Sequence, residues 1–502
     1  MDMAADKKKN TLWNFVDNLE GDKVVWMVVI LLILFSIVTI FSSTSLLALK
    51  QGSSRIAIGG EQLLVAVTGV VVIIVCYNIP KIGFFRVISQ LGYFASMIPL
   101  LLLTIAAITV RNGETRWDLG LLTVGQINEA WRTISIFGQQ FHVFEFVKVA
   151  MIMYLAWAVN ALRNDNFLFA NLWAKKHPKW EKPIVKKIFY IYIPIFSVCL
   201  CIMPGSLSST IFIGGIMLAT ILIGGIDFKE VLAACGVAAA LLALSLALAS
   251  LTPFGKKVFS HAESAMNRVR SGGIEAQLDI IRESPRNSVE FQEALDKVKQ
   301  PISAKIAIKE GGFIGKGPGK STQKYVVPVM FEDYMYSFIV EEYGLIGGWI
   351  VLILYVSLLA RGAIIVRNCD NPFAKTAVAG LVLLITGQAL MHIMINCDMG
   401  PLTGQTLPMI SHGNSSFLMF SLAFGIILSI SKMAKRKIER ETALAGPLVD
   451  RSIKDDISDR MDDLDRMDSG LSEEFDMQET EEDVPAHEND IPDYGIDDHN
   501  NE

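Results

Sequence analysis

Between Tyr325 and Ala360 the chain has no Lys, Arg or His, yet that stretch holds four carboxylates: Glu332, Asp333, Glu341 and Glu342. An acid taken out of water without a partner is costly. Local ion pairing within the stretch is therefore excluded, and a distant cation or a chemical role must account for these acids. Cysteine is also scarce. The six residues Cys76, Cys199, Cys201, Cys235, Cys369 and Cys397 give neither a disulfide framework nor zinc spacing. The seven histidines do not cluster either, so no transition-metal site is legible. The glycine-rich stretch GGFIGKGPGKSTQ (311–323) lacks the glycine that a phosphate-binding P-loop places five residues before Gly319; Ile314 stands there instead. No nucleotide site is expected, and no nucleic-acid partner.

What the chain has in quantity is apolar sequence: 52% of its 502 residues, with a mean hydropathy of +0.41. The apolar residues come in long runs, and runs of about 18 or more are candidates to cross a membrane. Ten stand out: 24–43, 61–79, 91–110, 145–162, 187–203, 208–226, 230–251, 337–360, 376–395 and 415–431. The reading is an all-α polytopic membrane protein of about ten transmembrane helices. Basic residues set the orientation. Lys7, Lys8, Lys9 and Lys23, the group from Arg163 to Lys187, and the cluster Lys432 to Arg440 all fall on one side. The short loops of the other side carry only Lys50, Arg55, Arg111, Arg116 and Arg132. Both termini are therefore expected in the cytoplasm, with 252–336 a large extracytoplasmic loop between helices 7 and 8. The expected organisation is a cytoplasmic segment 1–23, a membrane domain 24–432 and an acidic tail 433–502. From Asp450 onward, 21 acids face four basic residues. That tail is too poor in large apolar residues to bury a core and is expected to be disordered.

The long loop is basic, with 13 Lys/Arg against 8 Asp/Glu between Thr252 and Val326. A basic surface beside the outer leaflet suits an anionic ligand such as a diphosphate head group; an ordinary solvated loop fits the composition about as well. Its glycines suit close approach of backbone to a ligand or another segment. The polar stretch 398–416, DMGPLTGQTLPMISHGNSS, has a single charge, Asp398. Irregular backbone of this kind is tolerated at membrane depth only over a protein or watery cavity.

These stretches resemble the SEDS family (shape, elongation, division, sporulation), the group typified by FtsW and RodA. PLTGQTLPMISHGNSS is similar to the family's P-x-T-G-x-x-L-P-x-x-S-x-G-G-S-S. Pro401, Thr403, Gly404, Leu407, Pro408, Ser411, Gly413, Ser415 and Ser416 match, while Asn414 replaces a glycine. VPVMFEDYMYSFIVEEYGLIGG resembles the family's aspartate motif through Pro328, Asp333, Glu341, Glu342, Gly344 and Gly347. Arg132 and FHVFEFVK, with Glu145 and Lys148, resemble its first-half motif. PGSLSST (204–210) lacks an acid usual in the family, and His392 stands where an Asn is usual.

The resemblance implies a ten-helix peptidoglycan glycosyltransferase of the bacterial cytoplasmic (inner) membrane that polymerises lipid II. The alternatives are a lipid II flippase or an elongation-type polymerase; the glycine loop and the long tail lean towards the division type. It further implies Asp333 as catalytic base, a Mg or Mn cation, and substrate contacts from Arg132, Glu145, Lys148, Lys316, Lys320, Ser411, Gly413, Ser415 and Ser416. The implied partners are a class B penicillin-binding protein transpeptidase, other divisome proteins and membrane lipid.

Without the family, Asp333 before an apolar run reads first as a helix N-cap. On a straight helix, Glu341 and Glu342 lie roughly 12–14 Å deeper than Asp333. They are expected to form a structural charge network, pairing with a buried cation such as Lys148. Glu145 and Lys148, three residues apart, also suit a local ion pair, and Glu332 is expected to be solvated.

Overall fold

The computed structural model describes residues 20–52, 54–110, 115–127, 130–136, 138–167, 182–251, 273–286, 288–327, 330–400 and 404–440. The chain divides into a body, Met1–Arg436, and a second unit, Lys437–Glu502. The acidic tail beyond residue 440, and most of the segment 1–23, lie outside the described residues.

The body begins with helices α1 (Lys23–Ser43), α2 (Ser45–Gln51), α3 (Arg55–Tyr77), α4 (Ile82–Ser89) and α5 (Gly92–Thr109). Four strands follow: β1 (Arg116–Asp118), β2 (Leu122–Ile127), β3 (Ala130–Ile136) and β4 (Gln139–His142). Next come α6 (Val143–Arg163), α7 (Pro183–Lys187), a short π-helical turn, α8 (Ile193–Ile202), α9 (Leu207–Ile223) and α10 (Phe228–Leu251). The long connection then carries α11 (Gly273–Glu283) and α12 (Val289–Gly311), before α13 (Met335–Asn368), α14 (Pro372–Asn396) and α15 (Asn414–Arg440).

Among the described residues, nine helices are long and apolar enough to cross a bilayer, and α9 is a shorter apolar helix of 17 residues. Each of the ten apolar runs falls on one of these. The outward faces are apolar too: Leu34, Leu64, Val67 and Ile353 are exposed, as side chains facing lipid should be. Residues 433–440 are helical rather than part of a tail, and their Lys and Arg complement the carbonyl end of α15.

Two cores meet on α6. One, with Val149, Ile152 and Ala156, joins it to α1, α13, α14 and α15. The other, with Val147, Met151 and Leu155, joins it to α5, α8, α9 and the sheet. Because α6 is packed on all sides, its polar residues must find partners inside protein.

The strands form an antiparallel meander in the order β1-β2-β3-β4. The all-helical expectation misses this sheet. Its signal, the alternation in LTVGQI and WRTISI, lies in a polar stretch that a search for long apolar runs passes over. It sets the entry to α6 and carries Arg132.

Helix α13 breaks at Gly344, whose φ of 70° and ψ of −175° are outside the helical region. The backbone groups freed there are taken up by the glycine loop. Lys316 and Gly317 N–H donate to the Glu341 and Glu342 carbonyls, both at 2.9 Å, while Leu345 N–H donates to the Gly312 carbonyl, also at 2.9 Å. Such a break in an apolar helix survives only with replacement partners. A Cβ on Gly344 would lie 2.3 Å from the Phe313 carbonyl oxygen, and one on Gly315 2.4 Å from that of Glu342. The loop glycines thus serve backbone-to-backbone approach, one of the two uses their composition suggested.

Candidate active site

The turn 331–334 leading into α13 is held from the segment 404–416. Ser411 Oγ donates to the Glu332 carbonyl at 2.8 Å, and His412 N–H to the Phe331 carbonyl at 2.9 Å. On this turn Glu332 and Asp333 are half-buried, and no hydrogen bond or ion pair holds either carboxyl group among the described residues. Glu332 is therefore not the freely solvated acid expected. Burial, and then the neighbouring Asp333 charge, push its carboxyl up to about 8. Burial likewise raises Asp333 to about 6, the Arg132 guanidinium pulling in the other direction. Near neutral pH the pair thus carries about one proton, on Glu332. Gly404 faces the Asp333 carboxylate: a Cβ there would stand 3.8 Å from Oδ2.

Asp333 is not the cap of α13. The residue at the cap position is Tyr334, which makes no side-chain cap bond. The acceptors for the first turn come from α14. His392 Nε2 accepts from Tyr336 N–H at 3.4 Å, and Asn396 Oδ1 from Ser337 N–H at 3.0 Å and from its hydroxyl at 2.8 Å. Asn396 Nδ2 donates to the Asp333 carbonyl at 3.1 Å.

Glu341 and Glu342, by contrast, are engaged, Glu341 through both carboxylate oxygens and Glu342 through Oε1 alone, its Oε2 being buried without a partner among the described residues. Lys316 Nζ reaches Glu341 at 2.7 Å, and Ser321 and Thr322 add further donors. Lys324 Nζ lies 3.3 Å from Glu342, which also accepts from Ser42 Oγ at 2.7 Å. Their cations come from the glycine loop and the short helical turn after it, not from Lys148. The helix break brings that loop alongside the two acids, which a straight-helix reading does not reveal.

Lys148, fully buried on α6, meets Glu145 at 2.7 Å, Gln388 at 2.6 Å and Gln405 at 3.1 Å. Ser416 Oγ donates to Glu145, and Ser415 Oγ accepts from His142 N–H and donates to the Gln140 carbonyl. Arg132 Nε donates to the Gly205 carbonyl at 3.0 Å. Gln405 continues the network to Ser209 at 2.8 Å, and its carbonyl meets His392 Nδ1 at 2.7 Å. The segment 404–416 thus links the Glu145–Lys148 pair to the Asp333 turn.

Lys316 lies away from this group, between Glu310 and Glu341. Lys320 is exposed with no ion pair among the described residues, and Lys305 pairs with Asp398. Gly413 precedes α15 on the same segment as Ser411. Pro328, Pro401 and Thr403 lie outside the described residues. Sequence reasoning missed Gln388, Asn396 and Gln405, and gave His392 no role. Gln388, His392 and Asn396 recur every four residues in an apolar span, a polar stripe on one helix face that is itself a signal.

Among the described residues, ten apolar helices around a buried charge network, with a half-buried acid on the turn before one span, define a multi-pass membrane protein. Residues 22–436 match the model of the FtsW/RodA/SpoVE family, described as a cell cycle protein, and the chain belongs to that family. It is 40% identical over 131 residues to the probable peptidoglycan glycosyltransferase FtsW of Caulobacter vibrioides, covering 26% of this chain and 34% of that protein. Over 394 residues it is 25% identical to the FtsW so described from Marinobacter nauticus, covering 76% and 82% of the two chains. To the peptidoglycan glycosyltransferase MrdB of Escherichia coli K12 it is 34% identical over 131 residues, 26% of this chain and 35% of that one. The chain thus spans about a third of the length of two of these relatives and most of the third. Among solved structures, a chain from a peptidoglycan synthase complex shares the fold with a TM-score of 0.52 at 17% identity, covering 82% of this chain and 98% of that one.

Proposed function

We propose that this protein is an inverting glycosyltransferase of the bacterial cytoplasmic membrane, which polymerises lipid II into glycan strands during septal wall synthesis. The observation that carries the reading is the Asp333 carboxylate, half-buried, free of hydrogen bonds among the described residues and released from helix capping. Glycosyl transfer from a lipid diphosphate needs a base to take the proton of the acceptor hydroxyl, and a base works best with a pKa near the working pH. Asp333, raised to about 6, meets that need. Arg132, whose charge acts on Asp333, would supply positive charge to the anionic donor, with Lys320 as a further exposed cation.

A divalent cation fits this chain only as a guest shared with the diphosphate. The described residues hold no group of three or more His, Cys, Asp or Glu that would bind one alone. Glu332, with no hydrogen-bond partner for its carboxyl among them, is the residue that would hold it once the cation displaces its proton, in the manner of Mg²⁺ sites built from one carboxylate and substrate phosphates. A cation bound there supplies positive charge to the departing diphosphate. The solved structure that shares the fold belongs to a synthase complex that coordinates polymerisation with crosslinking, which supports a transpeptidase of the class B penicillin-binding type as partner.

The test is Asp333→Asn in purified protein with lipid II and Mg²⁺. The variant should fold and bind donor as wild type does and lose polymerisation about 10²-fold or more. Near-wild-type polymer from well-folded variant overturns the reading. Lipid II transport without polymerisation by the wild type would favour a flippase instead.

A further inference from the structure

The first turn of any helix carries N–H groups with no acceptor of its own, and a nearby Asp is among the best residues to satisfy them. Asp333 precedes α13 by two residues, so its carboxylate is the natural candidate. It makes no such bond, because His392 and Asn396 supply the acceptors from across the helix pair. Both are buried, and each is fixed from a second direction. His392 Nδ1 meets the Gln405 carbonyl at 2.7 Å, which leaves Nε2 as the acceptor. Asn396 Nδ2 donates both to the His392 carbonyl at 2.9 Å and to the Asp333 carbonyl at 3.1 Å. Asn396 thus grips the turn on both sides of Tyr334, by the Asp333 carbonyl before it and Ser337 after it.

We propose that Asn396, seconded by His392, is a positioning residue for Asp333: it takes over the capping of α13 and pins the Asp333 backbone, so that the carboxylate stays uncommitted and aimed past Gly404. This rests on the reading of Asp333 as the base. The general reason is geometric, since a displacement of about 1 Å in a reacting group costs on the order of 10²-fold in rate. Without the α14 acceptors, the unsatisfied N–H groups of Tyr336 and Ser337 would draw the Asp333 carboxylate onto the helix end and away from the acceptor hydroxyl.

The experiment uses the full chain in lipid nanodiscs, with lipid II polymerisation and hydrogen exchange of the 333–338 amides as readouts. Asn396→Leu keeps volume in an apolar span while removing both arms. Its kcat should fall by about 10²-fold with KM for lipid II unchanged, and exchange should quicken in 333–338. In an Asp333→Asn background the same change should add no further loss. Wild-type kcat in Asn396→Leu, or an equal added loss in the Asp333→Asn background, overturns the inference. With Asp333→Asn inactive, that result still leaves the glycosyltransferase reading standing; an active Asp333→Asn removes the ground of both. If Asn396→Leu does not insert, His392→Phe carries the test, keeping a buried ring but giving up the acceptor for Tyr336. A fall of roughly 10-fold in kcat at constant KM supports the inference, and full kcat overturns it.

Discussion

Two pairs of carboxylates lie within a dozen residues of one another, and the chain treats them in opposite ways. Glu341 and Glu342 are fully buried and ion-paired, with two lysines, two hydroxyl-bearing residues of the following turn and Ser42 directed at them, and only Glu342 Oε2 left without a partner among the described residues. Glu332 and Asp333 are half-buried and receive no bond at all among the described residues. Acids that hold structure are used up by the bonds that hold it. An acid that must take a proton has to keep a lone pair available, and the protein must secure that segment by other means. Here the means are backbone bonds from Ser411, His412 and Asn396 to the turn itself. The four acids of this cation-free stretch therefore have two roles, one for each pair.

The contrast is tested most forcefully at Glu342. Glu342→Leu leaves the Lys324 ammonium buried and unpaired, which costs about 3–5 kcal/mol. Thermal unfolding in detergent should show a large loss of stability. Lys324→Met in the same chain should recover most of it, because a buried pair exchanged for apolar side chains is close to neutral. Asp333→Asn is the opposite case, with activity lost and the unfolding temperature kept. Equal stability losses at the two sites would erase the distinction. Next in size is Gly344→Ala. A non-glycine residue in that conformation costs about 1–3 kcal/mol, and the added methyl meets the Phe313 carbonyl oxygen at 2.3 Å. The loop must move with it, so proteolysis within 312–325 should become faster while α14 and α15 stay protected.

The spans were legible because long apolar runs are a strong and local signal, and each run lies on a helix. Asp333 and the segment 404–416 were legible only through the family resemblance; on its own, Asp333 read first as a cap. What stayed hidden was long-range. Nothing in VEEYG announces that Lys316 and Lys324 return to those glutamates, because the return depends on a break at Gly344. The sheet was missed through its short polar strands. The capping of α13 from α14 was missed because a cap is sought in the residues just before a helix. The four-residue recurrence of Gln388, His392 and Asn396 is the one sequence signal of that capping, a polar stripe along an apolar span.

The smallest expected effect is also the one that tells the two free acids apart. A base must be ionised, so activity is present above its pKa and lost as pH falls through it. Asp333, raised by burial to about 6, predicts an acid limb of kcat/KM centred near pH 6. Glu332, raised to about 8, predicts a limb near pH 8 if it were the base instead. Glu332→Gln should leave the limb where it is, because the Glu332 carboxyl titrates well above it, while raising the Mg²⁺ concentration that activity requires. Arg132→Gln removes a positive charge that favours the ionised form of Asp333, so its limb should move to higher pH. A polymerisation assay from pH 5 to 9 with these two variants decides the matter. A limb near pH 8 that vanishes with Glu332→Gln would transfer the role of base to Glu332, and would show that lack of partners alone does not identify the working acid.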